Sequence, residues 1–389
     1  MKQFCGIISE FNPFHNGHCY IISQAKKISG LPVVCLMSGN FVQRGEPAIV
    51  DKFSRAKCAI NAGADAVLEL PTIYALSAAQ SFAEGSIKIL KELGCTSLAI
   101  GVTYANLEDY YNLAKIKNQN MKQALNSGLD KGLSYSAALV QVLKTKYPNC
   151  EKIFSDASNV LALEYIEQVV AQKANFDVIL IKRTDGGYSS NQIIDNYANA
   201  TTLRNLIGQN KLSSIGKYLP TGAASQLNNL PNTQIIDSIL FYNLRNTPPE
   251  ELAGYYDYTE GLPYLISTNS RKCSNLAECI KASETKRYRT ARIKKLCIYP
   301  SLNITKANVA KIAKGRIVAR LLAIKKEQKD FISSFNNKYV KVIVSHADFS
   351  RLTSSQILSA NIDLAATNLY SIACGTNYNS DITTGTLFI

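Results

Sequence analysis

The stretch from Gly6 to His18 reads Gly-Ile-Ile-Ser-Glu-Phe-Asn-Pro-Phe-His-Asn-Gly-His. Residues 4–8 are short and apolar, which predicts a first strand, and Asn12-Pro13 interrupts any regular element. Apolar residues then recur with helical spacing at Ile21, Ile22, Ala25 and Ile28. The stretch therefore predicts a strand that leads into a helix, with His15 and His18 at the start of that helix.

The start of a helix favours the binding of an anion. Unpaired backbone N–H groups and the positive end of the helix dipole point out of the first turn, and imidazoles add further donors. Gly17 has no side chain, so a ligand can approach its backbone closely. The same residues also fit two histidines that only cap a helix in an ordinary turn, and the motif alone leaves both interpretations open.

The first half of the chain alternates strand-like and helix-like segments. Short apolar runs occur at residues 4–8, 33–37, 66–70, 97–102 and 178–181, and helical patterns occur at 52–62, 77–93, 121–127 and 159–172. This alternation predicts an α/β fold with a Rossmann-like parallel sheet and helices on both faces. Ligands of such sheets bind beyond the carboxyl ends of the strands, where residues 9–18 fall.

The pattern changes near residues 215–230. Helical segments are predicted at 233–246, 274–282, 307–328 and 348–359, with one strand at 338–345. We therefore expect two domains: a catalytic, nucleotide-binding domain over residues 1–220 and a mostly helical domain over residues 221–389.

The positive charge of the chain is concentrated in one block. The net charge is +14, and residues 271–330 contain 17 lysines and arginines against four acidic residues, a net charge of +13. A solvated helical face is the ordinary explanation of a charge run, but here the bases are too numerous for ion pairing to neutralise, and Tyr288 and Tyr299 supply aromatic rings. The block, which we call the basic block, predicts a polyanionic partner, most simply nucleic acid.

Other features exclude several classes of protein. No apolar run is long enough to span a bilayer, and Glu10 interrupts the N-terminal apolar segment too early for a signal peptide, so we expect a cytoplasmic protein that binds no membrane. The ten cysteines include no C-x-x-C pair, and His346 has no cysteine nearby in sequence. We therefore expect reduced thiols and assign no metal site to protein ligands. No protein partner is implied, and the oligomeric state is left open.

Four further segments place polar residues where a nucleotide site uses them. They are Gly101 at the end of a strand, Ser158-Asn159 before a helix, Arg183–Tyr188 after a strand, and Asn199-Ala-Thr-Thr-Leu-Arg204 at the start of another helix. Each has an ordinary structural explanation as a turn, a helix cap or a surface helix. Together with the H-x-G-H motif they favour a nucleotide site.

The motifs resemble those of the bacterial tRNA(Met) cytidine acetate ligase family, within the H-x-G-H nucleotidyltransferase superfamily. The resemblance rests on the opening stretch, on Met37-Ser-Gly-Asn-Phe-Val-Gln-Arg-Gly-Glu-Pro-Ala48, on Ala66-Val-Leu-Glu-Leu-Pro71, and on segments near 159, 183, 200 and 286. The chain departs from the family pattern after Gly101, where it reads Val-Thr-Tyr, and at 183–188, where it reads R-T-D-G-G-Y instead of R-I-G-A-G-Y.

The resemblance implies a two-step reaction. ATP and acetate form acetyl-adenylate and pyrophosphate, and the acetyl group then passes to the wobble cytidine of elongator tRNA(Met), giving N4-acetylcytidine. It also implies that ATP, with Mg²⁺ on its phosphates, is bound by residues from three parts of the motif pattern: Ile7, Ile8, Ser9, Glu10, Phe11, Asn12, Pro13, Phe14, His15, Asn16, Gly17, His18, Cys19 and Tyr20; Gly101 and Asn159; and Arg183 with Thr184.

Roles follow for individual residues. We expect His15 and His18 to stabilise charge on the α-phosphate, and Arg204, with Thr201 and Thr202, to hold the leaving pyrophosphate. Lys26 or Lys52 is a further candidate for the pyrophosphate, and Asp51 is a candidate base that equally fits a helix cap. In the basic block we expect tRNA contacts from Lys286, Arg287, Arg289, Arg292, Lys294 and Lys295.

Two alternatives remain at this point. A small-molecule adenylyltransferase explains the first half of the chain but gives the basic block no role. A non-enzymatic RNA-binding protein that retains a degenerate nucleotide fold is disfavoured by the intact H-x-G-H and A-T-T-L-R segments. Acetate-dependent exchange of pyrophosphate into ATP separates all three.

Overall fold

The computed structural model describes residues 2–117, 135–144, 147–183, 196–285, 287–335 and 337–389. The strands in chain order are β1 (Phe4–Ser9), β2 (Val33–Ser38), β3 (Phe41–Val42), β4 (Glu46–Pro47), β5 (Ala66–Leu70), β6 (Cys95–Val102), β7 (Asp177–Lys182), β8 (Ile317–Ile324), β9 (Val340–Ile343) and β10 (Leu387–Phe388). The helices are α1 (Asn16–Ser29), α2 (Lys52–Asn61), α3 (Thr72–Ala75), α4 (Ala79–Leu93), α5 (Leu107–Lys117), α6 (Tyr135–Leu143), α7 (Cys150–Phe154), α8 (Ala157–Ala171), α9 (Ala200–Gly208), α10 (Thr233–Asn246), α11 (Pro249–Leu252), α12 (Leu262–Lys272), α13 (Leu276–Ser283), α14 (Thr290–Ile298), α15 (Lys306–Ala313), α16 (Phe331–Phe335), α17 (Ser354–Cys374) and α18 (Ser380–Thr383).

The chain divides into two compact units. Unit one comprises Met1–Leu36, Arg55–Val67 and Ala79–Gln226, and unit two comprises Met37–Ser54, Leu68–Ala78 and Leu227–Ile389. Two short segments from the first part of the chain thus belong to unit two, whereas the sequence had assigned them to the first domain.

Unit one is built on a parallel sheet. β6 pairs in parallel with β1 on one side and with β7 on the other, and the strand order is β5-β2-β1-β6-β7. β2 is buried along its whole length, as expected for a strand covered on both faces. Helix α8 packs against α4 and α5 beside this sheet. The predicted α/β fold with a mostly parallel sheet is confirmed, and the carboxyl ends of β1, β6 and β7 lead into the segments that carry the candidate site.

Unit two has a largely helical core. Apolar residues of α10, α12, α14 and α17 share one buried cluster. The two short segments from earlier in the chain join this unit through α17, because Asn40 donates to Thr367 Oγ1 over 3.4 Å and the Thr72 backbone N–H donates to Asp363 over 2.7 Å. β8 pairs in parallel with β9 through residues 317–320 and with β10 through residues 323–324.

One helix predicted in this part of the chain is wrong. The segment 307–328 contains the short helix α15, a break at Lys314-Gly315 and then strand β8. All eight residues of β8 are buried, including Arg320. An apolar run buried on both faces has no amphipathic period, so its length and its β-branched residues, Ile317, Val318 and Ile324, are the better guide.

Other element boundaries shift by a few residues. The strand predicted at 338–345 is β9, and the helix predicted at 348–359 is a 3₁₀ turn, His346–Arg351, followed by the longer α17. The helix predicted at 121–127 lies outside the described residues. Among the residues that are described, no helix combines the length and apolar character needed to cross a bilayer.

Candidate functional site

His15 and His18 together cap the start of α1. His15 is the N-cap, and its Nδ1 accepts a hydrogen bond from the Gly17 backbone N–H over 3.1 Å. His18 Nδ1 accepts from the His15 backbone N–H over 3.2 Å, which completes a capping box. A neutral imidazole whose Nδ1 accepts must carry its proton on Nε2. Both histidines therefore present Nε2–H as a hydrogen-bond donor.

The environment of His18 keeps it neutral. Its ring stacks on that of His15, with the ring centroids 3.7 Å apart, and lies 4.9 Å from the Phe11 ring and 5.5 Å from the Phe14 ring. Burial lowers the pKa of His18 well below 6.5, and the electrostatic influence of the neighbouring His15 and Arg183 lowers it further. His18 at neutral pH is thus a neutral donor and not an imidazolium.

Two arginines hold the loop that precedes this helix. Arg55 is fully buried and donates from a terminal nitrogen to the Glu10 carbonyl over 2.6 Å. Arg204 donates to the Asn12 carbonyl over 2.8 Å and to Thr201 Oγ1 over 3.1 Å. Between these carbonyls, Phe11 has a φ of 49°, which an L residue seldom adopts. The arginines fix the loop by its carbonyl oxygens, and their positive charge raises the potential at the start of α1.

The A-T-T-L-R segment lies beside this loop. Asn199 is the N-cap of α9, because its side chain accepts from the Thr202 N–H over 2.9 Å. Asn16, at the first position of α1, donates to the Asn196 and Lys217 carbonyls over 3.1 and 2.9 Å. Together with the Arg204 contact, these bonds bring the N-terminal motif and the 199–204 segment into one site.

Gly101 and Arg183 lie at the neighbouring strand ends. Gly101, in β6, pairs with Ile181 of β7, and the Arg183 N–H donates to the Val102 carbonyl over 2.8 Å. A Cβ at Gly101 would lie 3.0 Å from Ile21 Cδ1 and 3.7 Å from Arg183 Cγ. The glycine thus allows α1, β6 and Arg183 to approach closely. Thr184, the other predicted ATP contact here, lies outside the described residues.

Asn159 holds the loop that follows β6. Its side chain is fully buried and accepts from the backbone N–H groups of Thr103 and Tyr104 over 2.9 and 3.2 Å. The amide nitrogen donates to Thr103 Oγ1 over 2.8 Å and to the Lys152 carbonyl over 3.0 Å. Two accepted and two donated bonds use the amide fully. The ATP contact predicted for Asn159 stays a prediction, and it requires the exchange of one of these bonds.

Two other predictions need correction. Lys26 is in the last turn of α1, about 15 Å along the axis from the helix start, and pairs with Asp65 over 3.0 Å. Lys52 is fully buried and binds both Glu69 oxygens over 2.8 Å. Neither ammonium group is placed to hold pyrophosphate, so both assignments are wrong. Asp51 caps α2 by accepting from the Ser54 N–H over 3.0 Å, which accounts for this residue structurally, and its role as a base stays a prediction.

Lys52 belongs to a buried charge network in unit two. Its ammonium also lies 2.7 Å from Asp381 Oδ1, and Arg320 Nε lies 3.6 Å from Glu69 Oε2. The Arg320 guanidinium donates to the Asp381 carbonyl over 2.6 Å. The network joins the start of α2, β5, β8 and α18, so the role it supports is structural.

The basic block is partly neutralised by nearby acids. Ion pairs join Arg287 to Glu260, Arg292 to Asp257 and Lys294 to Glu46. Arg289 is exposed and has no side-chain partner among the described residues, and Lys286 lies outside those residues. The Arg287–Glu260 pair is exposed, so it is weak and is readily exchanged for a phosphate contact, whereas the other two pairs are partly buried.

Lys295 is wrongly placed in the predicted tRNA-binding set. It is only 6% exposed, and its ammonium donates to the Ser77 carbonyl over 2.9 Å. Burial lowers the pKa of Lys295 to about 8. The two rings suggested by the sequence are also buried, because Tyr288 packs in the core of unit two and Tyr299 donates to the Leu76 carbonyl over 2.8 Å.

Comparisons with known proteins agree over nearly the whole chain. A family model described as HIGH nucleotidyl transferase matches residues 1–384. The tRNA(Met) cytidine acetate ligase of Thermoanaerobacter sp. (strain X514) is 32% identical over 382 residues, which cover 95% of this chain and 94% of that protein. This chain belongs to the tRNA(Met) cytidine acetate ligase family.

Other members of the family are similarly close. The tRNA(Met) cytidine acetate ligase of Bacillus licheniformis is 31% identical over 384 residues, covering 94% of this chain and 91% of that protein. Two crystal structures of Thermotoga maritima TmcAL, one without ligand and one bound with alpha-thio ATP, match with TM-scores of 0.90 and 0.88. Both are 24% identical and cover 100% of each chain, so they establish the fold.

The sequence did not point to some residues of this chain that shape the site. Arg55 was not singled out, although it is a charged residue inside an otherwise helical, half-apolar segment. A buried arginine almost always has fixed partners, so such a position is a signal that a sequence search could use. Asn16 was included only as part of the motif, and its contacts to Asn196 and Lys217 depend on the tertiary fold.

Proposed function

We propose that this chain activates acetate with ATP and transfers the acetyl group to the wobble cytidine of elongator tRNA(Met), giving N4-acetylcytidine. Membership of the ligase family carries this proposal. The paired neutral histidines at the start of α1 support it, because they provide two N–H donors beside a helix N-terminus. We further propose that the enzyme acts in the cytoplasm.

In the first step, a carboxylate oxygen of acetate attacks the α-phosphorus of ATP, and pyrophosphate leaves in line. Negative charge grows on the phosphate oxygens, and the Nε2–H groups of His15 and His18 stabilise it together with the backbone N–H groups of α1. Neutral donors suit this task, since they bind the developing charge without giving up a proton. Arg204 is held at the adjoining loop, where its remaining N–H groups are available to the leaving pyrophosphate.

In this proposal Mg²⁺ acts on the ATP phosphates and not through a metal site of the protein. The described residues contain no group of three or more His, Cys, Asp or Glu side chains that fits a metal ion. We therefore expect Mg²⁺ to enter on the ATP phosphates, where it neutralises their charge, and no step above depends on a protein ligand to it.

In the second step, the exocyclic amine of the cytidine attacks the acetyl carbonyl of the adenylate. The C–N bond forms, the C–O bond to AMP breaks, and the amine loses one proton. The cytidine must first be unstacked, and anticodon loops present such bases readily. The flanking phosphates are bound by four cations of the basic block: the exposed Arg287 and Arg289, and the partly buried Arg292 and Lys294.

The test is incubation of the protein with ATP, carbon-14 acetate and purified tRNAs, followed by nucleoside analysis. We expect label in N4-acetylcytidine of elongator tRNA(Met), with one AMP formed per acetyl group. The His18→Ala variant is expected to bind tRNA but to transfer no label. Label that stays off tRNA(Met) while wild-type protein consumes ATP would refute the ligase assignment.

A further inference from the structure

Helix α12 presents an exposed stripe in unit two. Leu262, Pro263, Ile266, Ser267 and Ser270 are buried. On the other side lie Tyr264, Thr268, Arg271 and Lys272, which are all exposed and which we call the Tyr264 stripe. The spacing of these four residues is that of one helix face, so they form a continuous surface about 12 Å long.

The chemistry of the stripe is unusual for a solvated helix face. Tyr264 is 58% exposed, and its hydroxyl has no hydrogen-bond partner among the described residues. Helix α12 contains no acidic residue, so Arg271 and Lys272 have no counter-charge on their own helix. An ordinary solvated face mixes charges of both signs, and this one combines an aromatic ring with positive charge only.

More positive charge lies at the same end of the helix as the ring. Glu260, four residues before Tyr264, accepts two hydrogen bonds from Arg287 over 2.6 and 2.8 Å. The chain then passes through the exposed Arg289 into α14. The bonds between Arg287 and Glu260 thus join the residues just before α12 to the basic segment before α14.

We propose that Tyr264 stacks on an unpaired base of the tRNA, while Arg271, Lys272 and Arg289 bind phosphates on either side of that base. The inference rests on the proposed function, which supplies the RNA. Unstacked loop bases bind aromatic rings, and the phosphates around them need cations. Tyr264 thus supplies the exposed aromatic ring that the sequence had suggested at Tyr288 and Tyr299, which are buried.

The experiment compares Tyr264→Ala, Tyr264→Phe and the control Tyr378→Ala in the full-length protein. Tyr378 is 70% exposed in a segment that carries no lysine or arginine between residues 375 and 381. Dissociation constants are measured by filter binding for tRNA(Met), for its anticodon stem-loop and for a fully paired hairpin of equal length. Acetate-dependent pyrophosphate exchange is measured on each variant without tRNA.

We expect Tyr264→Ala to raise the dissociation constant for the stem-loop roughly 5- to 150-fold, the range for loss of one base–aromatic stack. Binding of the paired hairpin should hardly change. Tyr264→Phe keeps the ring and should bind like wild type, as should Tyr378→Ala. Exchange should be unchanged in all three variants, because the stripe has no part in adenylate formation.

Two results would overturn the inference. One is stem-loop binding by Tyr264→Ala within twofold of wild type while exchange and tRNA acetylation persist. The other is self-association of the wild type that Tyr264→Ala abolishes with no change in RNA affinity, because that result assigns the stripe to a protein interface. Failure of the proposed function looks different, since exchange or acetylation would then be absent from the wild type itself.

Discussion

Replacing His18 with asparagine separates the two roles that the structure gives this residue. The side-chain oxygen of asparagine can accept the His15 N–H as Nδ1 does, so the capping bond is kept. The Nε2–H donor is lost. Removal of one preorganised donor to a developing oxyanion costs about 2.7–4 kcal/mol, so we expect acetyl-adenylate formation to slow roughly 100- to 1000-fold.

The effect on stability should be smaller and has a different origin. The variant loses ring contacts to Phe11 and Phe14, each worth about 0.5–1.5 kcal/mol. The His18→Ala variant loses the cap as well, at a further cost of about 0.5–2 kcal/mol. Acetate-dependent pyrophosphate exchange and urea unfolding are measured on both variants. Exchange by His18→Asn within threefold of wild type would refute the donor role.

The depressed pKa of His18 adds a pH test. Since the folded protein holds this histidine neutral below its usual pKa of 6.5, protonation favours the unfolded chain. The stabilising contribution is complete above pH 6.5 and is lost as pH falls towards the folded pKa, at about 1.4 kcal/mol per pH unit. Between pH 7.5 and 5.5 the wild type should lose more unfolding free energy than His18→Asn, and equal losses would contradict a buried neutral histidine.

Three further substitutions test other parts of the structure. Arg204→Lys keeps the charge but cannot reach both the Asn12 carbonyl and Thr201, so we expect KM for ATP to rise roughly tenfold, and an unchanged KM would contradict the clamp. Lys52→Met leaves the buried carboxylates of Glu69 and Asp381 with only the more distant Arg320, and it should lower the free energy of unfolding by about 3–5 kcal/mol in urea titrations, whereas a loss below 1 kcal/mol would argue against the network. Lys295→Met should leave the salt dependence of tRNA binding unchanged, while Arg289→Ala should lower its slope by about one, and equal effects would contradict their different exposure.

Periodicity located the elements of unit one well because its strands and helices have clear patterns. Residues 66–70 were predicted as a strand and form β5, and the helix expected after the H-x-G-H loop runs from Asn16 to Ser29. β8 was not predicted as a strand, because a strand buried on both faces shows no alternation of apolar and polar residues. The loop geometry at Phe11 and the carbonyl contacts of Arg55 and Arg204 depend on partners far along the chain, which local patterns do not encode.

Composition located the basic block but not its exposed groups. Lys295 and Tyr299 share the sequence neighbourhood of Arg289, yet they are buried because the second half of α14 is covered on all sides. Only the tertiary fold shows which part of that helix is covered. Lys52 was misassigned for the same reason. Its positive charge suggests a phosphate-binding role from sequence, but in the structure it forms a buried ion pair with Glu69.

The most direct test of acetate activation at the H-x-G-H loop is pyrophosphate exchange into ATP, measured with and without acetate and in the absence of tRNA. We predict exchange that requires acetate, is retained by Tyr264→Ala and is slowed roughly 100- to 1000-fold by His18→Asn. Exchange that proceeds equally without acetate, or that survives the loss of His18, would contradict the assignment of this site to acetyl-adenylate formation.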